Sequence, residues 1–150
     1  MADSDTHDID VLNSLIATTI DSAEGYAEAA NQIKNPQICG SFLRWSEDRQ
    51  LVVELLKTQV SSLGGDPEIN GTVLASVHRL FTNLREVLDS GDTAVINAVE
   101  CGEDRIKCKY EEALKDPDIF SPSRRSIERA FVSVLTGHDQ ARALKHSVHA

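Results

Sequence analysis

Apolar residues recur at alternating spacings of four and three in four long segments, at about 8–34, 37–63, 93–115 and from 121 onward. The first segment shows the pattern along its whole length: Leu12, Ile16, Thr19, Ala23, Tyr26, Ala30 and Ile33. Such spacing places one apolar stripe on each helix, which is typical of helices packed in a bundle. Nothing between the stripes alternates as a half-buried strand does. The sequence therefore predicts an all-α protein.

Proline and glycine mark where the predicted helices end. Asn35-Pro36 closes the first segment, because the residue before a proline is pushed out of the helical region. Gly64-Gly65 closes the second, since glycine adopts the left-handed C-cap conformation at little cost. Ser121-Pro122 suits the start of the last helix. The short links make antiparallel hairpins of the first two segments and of the last two.

Residues 64–92 remain as a long crossover between the two hairpins. Their shorter apolar stripe, at about 72–88, predicts a short fifth helix. A four-helix bundle with one long crossover is the ferritin-like arrangement. We therefore expect a single ferritin-like, up-down four-helix bundle over residues 1–150, with residues 1–8 as a flexible N-terminus.

Ionisable residues interrupt three of the four long stripes at similar depth: Arg49, Glu103 and His138. Burying an unpaired charge costs several kcal/mol, so three such residues at one level suggest a shared network. Its simplest form sets Arg49 against Glu103 and Asp21, with His138 as a hydrogen-bond partner. One interpretation is a satisfied ionic layer that fixes the register of the helices. The other is a metal or small-ligand site.

A di-iron centre of the ferritin type needs a Glu on each of two helices and Glu-x-x-His on each of the other two. The residues three positions before the five histidines are Ser4, Ala75, Leu135, Ala143 and His146, so the motif does not occur. A reduced iron or manganese site would use four residues near the layer: Glu47, Glu100, Glu103 and His138. Arg49 would place a positive charge beside any cation held there. We therefore expect no cofactor and keep the reduced metal site as an alternative.

Several short stretches carry a resemblance to a known family: Leu12–Ile16, Asp21-Ser22, Leu63–Pro67, Leu80–Leu88, Gly102–Asp104, Tyr110–Leu114 and His138-Asp139. Over about residues 9–145 the chain resembles bacterial ferritin-like four-helix-bundle proteins of unknown function, which are common in proteobacteria. The resemblance implies a ferritin-like fold and brings no established reaction. It also implies a set of polar positions: Asp21, Arg49, Glu54, Glu100, Glu103 and His138. Glu54 joins the predicted polar layer on this ground.

Charge and composition exclude several classes of function. The net charge of −9 argues against nucleic acid and anionic membranes as partners. No apolar run approaches the roughly 20 residues of a membrane span, and the acidic start does not match a secretory signal, so we expect a cytoplasmic protein. Cys39, Cys101 and Cys108 form no Cys-x-x-Cys motif. We expect these cysteines to serve as small, partly buried residues of the helices.

Three hypotheses of function follow from these features. The first is a non-enzymatic bundle that acts through protein association, for example as a homodimer. The second is a metal-binding ferritin relative that stores or oxidises iron or manganese. The third is a carrier of a small ligand, which predicts a pocket that reaches Arg49 from solvent. The sequence shows no nucleophile motif and no glycine-rich phosphate loop, so we expect no catalytic residues.

Overall fold

The computed structural model describes residues 3–72 and 91–149. This part of the chain forms four helices and contains no strand: α1 (Asp3–Gln32), α2 (Pro36–Ser62), α3 (Asp92–Lys115) and α4 (Ser121–His149). The predicted all-α class is confirmed. The predicted short helix at 72–88 lies almost wholly outside the described residues. None of the described helices is both long enough and apolar enough to cross a lipid bilayer.

The four helices pack as two hairpins set against each other. Helix α1 packs along α2, and α3 packs along α4, as the short links predict. Further contacts join α1 to α3 and α2 to α4, which closes a four-helix bundle.

The helix ends follow from local chemistry. The side-chain oxygen of Asn35 accepts from the backbone N–H groups of Gln37 and Ile38, and Pro36 follows at the first helical position. Asn35 therefore caps α2 as well as separating it from α1. At the other end of α2, Gly64 has φ = +79°, a left-handed conformation that glycine adopts without a steric penalty.

The N-terminus differs from the expectation. Residues from Asp3 onward belong to α1, whereas we expected residues 1–8 to be flexible. The ring Nε2 of His7 lies 2.8 Å from Oδ2 of Asp116, and Asp8 is fully buried. The backbone N–H of Phe120 donates to the Asp8 carboxylate at 3.4 Å. These contacts tie the first turns of α1 to the link between α3 and α4.

The core consists of two apolar clusters at opposite ends of the bundle. One lies at the level of the first half of α1, and its large, fully buried side chains include Leu12, Ile16, Leu56, Tyr110 and Ile127. The other lies near the end of α1: Ala29, Phe42, Val95, Ile96 and Ala141. Buried polar residues lie between them: Thr19, Ser46, Arg49, Glu103 and His138. We call this level of the bundle the polar layer.

Candidate functional site

An ion pair between Arg49 of α2 and Glu103 of α3 forms the centre of the polar layer. Nη2 of Arg49 lies 2.7 Å from Oε2 of Glu103, and each side chain is only 2% exposed. Nη1 of Arg49 donates to the hydroxyl of Ser22 on α1 at 2.8 Å. The Tyr26 hydroxyl donates to the other carboxylate oxygen of Glu103. Both oxygens of Glu103 are thus partnered, as a buried carboxylate requires.

Aromatic side chains enclose this ion pair on one side. The guanidinium carbon of Arg49 lies 5.6 Å from the centre of the Tyr26 ring, within range of a cation–π contact. The Tyr26 ring meets Trp45 edge-on, with the ring centres 5.6 Å apart. Burial raises the pKa of Tyr26 well above 10, and the negative charge of Glu103 raises it further. The hydroxyl therefore remains a hydrogen-bond donor to Glu103.

Helix α4 contributes space to the layer through Gly137. A Cβ atom at this position would lie 2.3 Å from Nη2 of Arg49 and 3.5 Å from Oε2 of Glu103. Any side chain at residue 137 would therefore displace the guanidinium. Our sequence reasoning missed this residue. The available signal was a glycine inside a predicted helix, where alanine would be favoured by about 1 kcal/mol.

Two residues predicted for the layer, His138 and Asp21, have partners other than Arg49 and Glu103. His138 is buried, but its Nε2 lies 2.6 Å from Oδ1 of Asp104. The carboxylate of Asp21 accepts from the backbone N–H and the hydroxyl of Thr72. Burial raises the pKa of Asp21, and the two bonds from Thr72 partly offset this effect.

Glu54 lies outside the polar layer, contrary to the expectation. Its side chain is 72% exposed and lies 3.8 Å from the ammonium of Lys57. The physical reason is helical geometry: five residues after Arg49, the side chain has turned by about 140° around the helix axis.

Three of the four metal candidates have separate partners, and the fourth is exposed. Glu47 is exposed, and Glu100 lies 2.6 Å from the ammonium of Lys145. Glu103 is bound by cationic Arg49, and His138 faces a different carboxylate. Across residues 3–72 and 91–149, no group of three or more His, Cys, Asp or Glu is arranged to hold a metal ion. These residues do not fit a ferritin-type metal centre.

A pocket of about 290 Å³ opens between α1 and α3 in the described part of the chain. Its inner wall includes Glu103 of the polar layer and two side chains that hydrogen-bond to the ion pair, Ser22 and Tyr26. Apolar residues and two helix glycines form its sides: Ala98, Val99, Ile106, Gly25 and Gly102. Arg105 and Lys109 also line it.

The ligand-carrier hypothesis predicted a pocket that reaches Arg49. The larger pocket reaches three direct partners of Arg49, and a smaller cavity of about 40 Å³ between α2 and α4 touches Arg49 itself. The sequence offered only a weak signal for the larger pocket, namely one glycine inside each of two predicted helices.

Comparison with known proteins gives one family. The family described as Domain of unknown function (DUF2383) matches residues 7–116. The match contains Tyr26, Arg49 and Glu103 and ends before α4. No match was found among curated proteins.

Proposed function

The chain belongs to the family described as Domain of unknown function (DUF2383). Because this description names no activity, we propose a function from the geometry of the site itself. The protein is a non-catalytic, ferritin-like bundle that binds a small, largely apolar molecule in the pocket between α1 and α3. The polar layer takes the place of a metal centre and acts as the rigid inner wall of this pocket.

The glycines of the pocket are the observation that supports binding. Gly25 lies inside α1 and Gly102 inside α3, and both line the pocket. Glycine inside a helix costs about 1 kcal/mol relative to alanine. Among the described residues, a Cβ atom at Gly102 would meet nothing within 4 Å. Close packing therefore does not account for this glycine, whereas an open pocket does.

The chemistry of the inner wall favours binding over catalysis. Both oxygens of Glu103 accept hydrogen bonds, from Arg49 and from Tyr26. A general base must instead reach the proton that it removes from a substrate. The polar atoms of Glu103 already have hydrogen-bond partners, so the wall presents the ring of Tyr26 and the neighbouring apolar side chains to a ligand. Small-molecule pockets are lined in this way, with few polar groups.

Filling the pocket from Gly102 tests the proposal. We would titrate the wild-type chain with 1-decanol, a neutral probe, and follow its amide NMR signals and the heat of binding. We expect saturable shifts in α1 and α3, and a loss of at least tenfold in affinity in Gly102→Leu. Gly40→Leu on α2 is the matched control, because the Cβ atom there is 3.7 Å from a flexible Arg44 side chain. Equal affinity in the two variants, or no saturable binding of decanol or of decanoate, would overturn the proposal.

Association with a second copy is the alternative function. Large apolar side chains are exposed on the neighbouring helices α2 and α4: Leu43 (49%), Leu51 (69%) and Val132 (65%). We propose these residues as the contact of a homodimer. Light scattering on the wild type should then give a dimer mass at high concentration, and Leu51→Glu should lower it. A monomer mass throughout would refute the dimer.

Iron or manganese binding is the other alternative, and the ion pair speaks against it. A metal ion would have to displace Arg49 from Glu103 or share a carboxylate with a guanidinium. Metal analysis after anaerobic Fe(II) loading checks this reasoning. One or two irons for each chain, lost in Glu103→Ala, would restore the metal hypothesis.

A further inference from the structure

We propose that the molecule held between α1 and α3 is an amphipathic monoanion, with its apolar body inside the pocket and a carboxylate beside Arg105 and Lys109. This inference rests on the proposed function and adds the chemical class of the ligand.

The charges around the pocket favour an anion. Four charged residues line it, and the two acidic ones are already partnered: Glu103 by Arg49 and Asp21 by Thr72. The two basic residues, Arg105 and Lys109, are exposed and form no ion pair within residues 3–72 and 91–149. Thr72 is neutral and leaves the charge of Asp21 in place, but Arg49 neutralises Glu103, so the two cations outnumber the one remaining carboxylate and the lining carries a net positive charge.

The placement of the two cations supports the same conclusion. Arg105 and Lys109 are four residues apart on α3, so they project from the same face of the helix. Like charges at this spacing repel and weaken a helix. The chain as a whole carries a net charge of −9, so two basic residues at a pocket, with no ion-pair partner among the described residues, are a local exception. An anionic group placed between the two side chains would remove the repulsion.

The inner part of the pocket suits an apolar body. The Tyr26 hydroxyl donates to Glu103, so neither group needs a ligand as a hydrogen-bond partner. The walls beyond them come from Ala98, Val99 and Ile106. An apolar cavity of about 150 Å³ holds one benzene molecule. The pocket of about 290 Å³ therefore has room for roughly ten to twelve carbon atoms.

Three ten-carbon probes separate the ligand class from the pocket itself. We would measure the binding of decanoate, 1-decanol and decylammonium to the full chain by calorimetry. We expect decanoate to bind about three- to tenfold more tightly than decanol, because its carboxylate gains two exposed ion pairs. Decylammonium should bind more weakly than decanol, because its charge is repelled by the same two cations. Added salt should weaken decanoate binding and leave decanol binding unchanged.

Variants of the basic pair assign the preference to residues. In Arg105→Gln/Lys109→Gln, decanoate and decanol should bind within twofold of each other. Lys107→Gln is the matched control, because this lysine lies on the same helix and does not line the pocket. It should keep the wild-type preference.

The outcomes distinguish the two proposals. Equal binding of decanol and decanoate to the wild type, lost in Gly102→Leu, would refute the anionic ligand and leave the proposed function intact. A preference for decylammonium, or a decanoate preference that survives in the double variant, would also refute the anionic class. If neither decanol nor decanoate binds saturably, the proposed function itself fails.

Discussion

Replacing Glu103 with leucine isolates the buried charge of Arg49, and its effect can be estimated from the structure. At 2.7 Å, the pair attracts by about 6 kcal/mol at an effective dielectric constant of 20. The cost of burying the two ions offsets most of this gain, so the intact pair adds little net stability. Glu103→Leu removes the attraction but leaves the cost of burying Arg49. We expect the free energy of unfolding to fall by about 3–5 kcal/mol.

Removing both charges should cost much less than removing either one. Arg49→Met leaves the carboxylate buried and should also cost about 3–5 kcal/mol. In Arg49→Met/Glu103→Leu neither charge is buried, and the main loss is the hydroxyl of Tyr26, which no longer has an acceptor. That loss is about 1–3 kcal/mol, and adding Tyr26→Phe should recover most of it.

Urea unfolding followed by helical circular dichroism measures these free energies. The slope with urea should stay constant, because the surface exposed on unfolding is nearly unchanged. Glu54→Leu is the control: the side chain is 72% exposed, and its loss should change stability by no more than about 0.5 kcal/mol. If the effects of Arg49→Met and Glu103→Leu add within about 0.5 kcal/mol in the double variant, the reasoning about the pair is wrong.

Three further predictions concern Gly137, His7 and the two tyrosines. Gly137→Ala should lower stability by about 1–3 kcal/mol in urea, because its Cβ atom would lie 2.3 Å from the guanidinium of the buried ion pair. The hydrogen bond to Asp116 raises the pKa of His7 above 6.5. The contact therefore stabilises the fold fully below pH 6.5, and this stabilisation is lost as pH rises through the higher pKa that His7 has in the folded state. Melting temperatures of the wild type and His7→Gln should therefore converge in alkali, and a constant difference would contradict this. Burial raises the pKa of Tyr110 to about 12 and that of Tyr26 well above 10, so absorbance should show no tyrosinate at pH 10 while the helices remain.

The spacing of residues along the chain was enough to predict the burial of the ionisable groups. Arg49, Glu103 and His138 each occupy an apolar stripe, and the period of a helix decides which face a residue takes. All three are buried in the structure. The same argument paired Arg49 with Glu103, because a buried charge needs an opposite one.

Contacts between helices were harder to predict, because they depend on axial alignment and on atoms outside the stripe. His138 turns to Asp104, a residue next to Glu103 that no stripe contains. Asp21 accepts from Thr72, which lies in the non-helical stretch after α2. The helical period does not predict the course of that stretch. The pocket is the space left between two helices, and only Gly25 and Gly102 hint at it in the sequence.

The polar layer also divides the bundle into two halves with separate apolar clusters. Every helix contributes one end to each half, so neither half corresponds to a continuous piece of the chain. Substitutions far apart in opposite halves act on different neighbours, and their effects on stability combine additively. Each cluster can therefore accumulate sequence changes without compensation in the other. The residues of the polar layer lie between the two clusters, so a substitution there affects the packing of both and couples the sequence changes that each can accept.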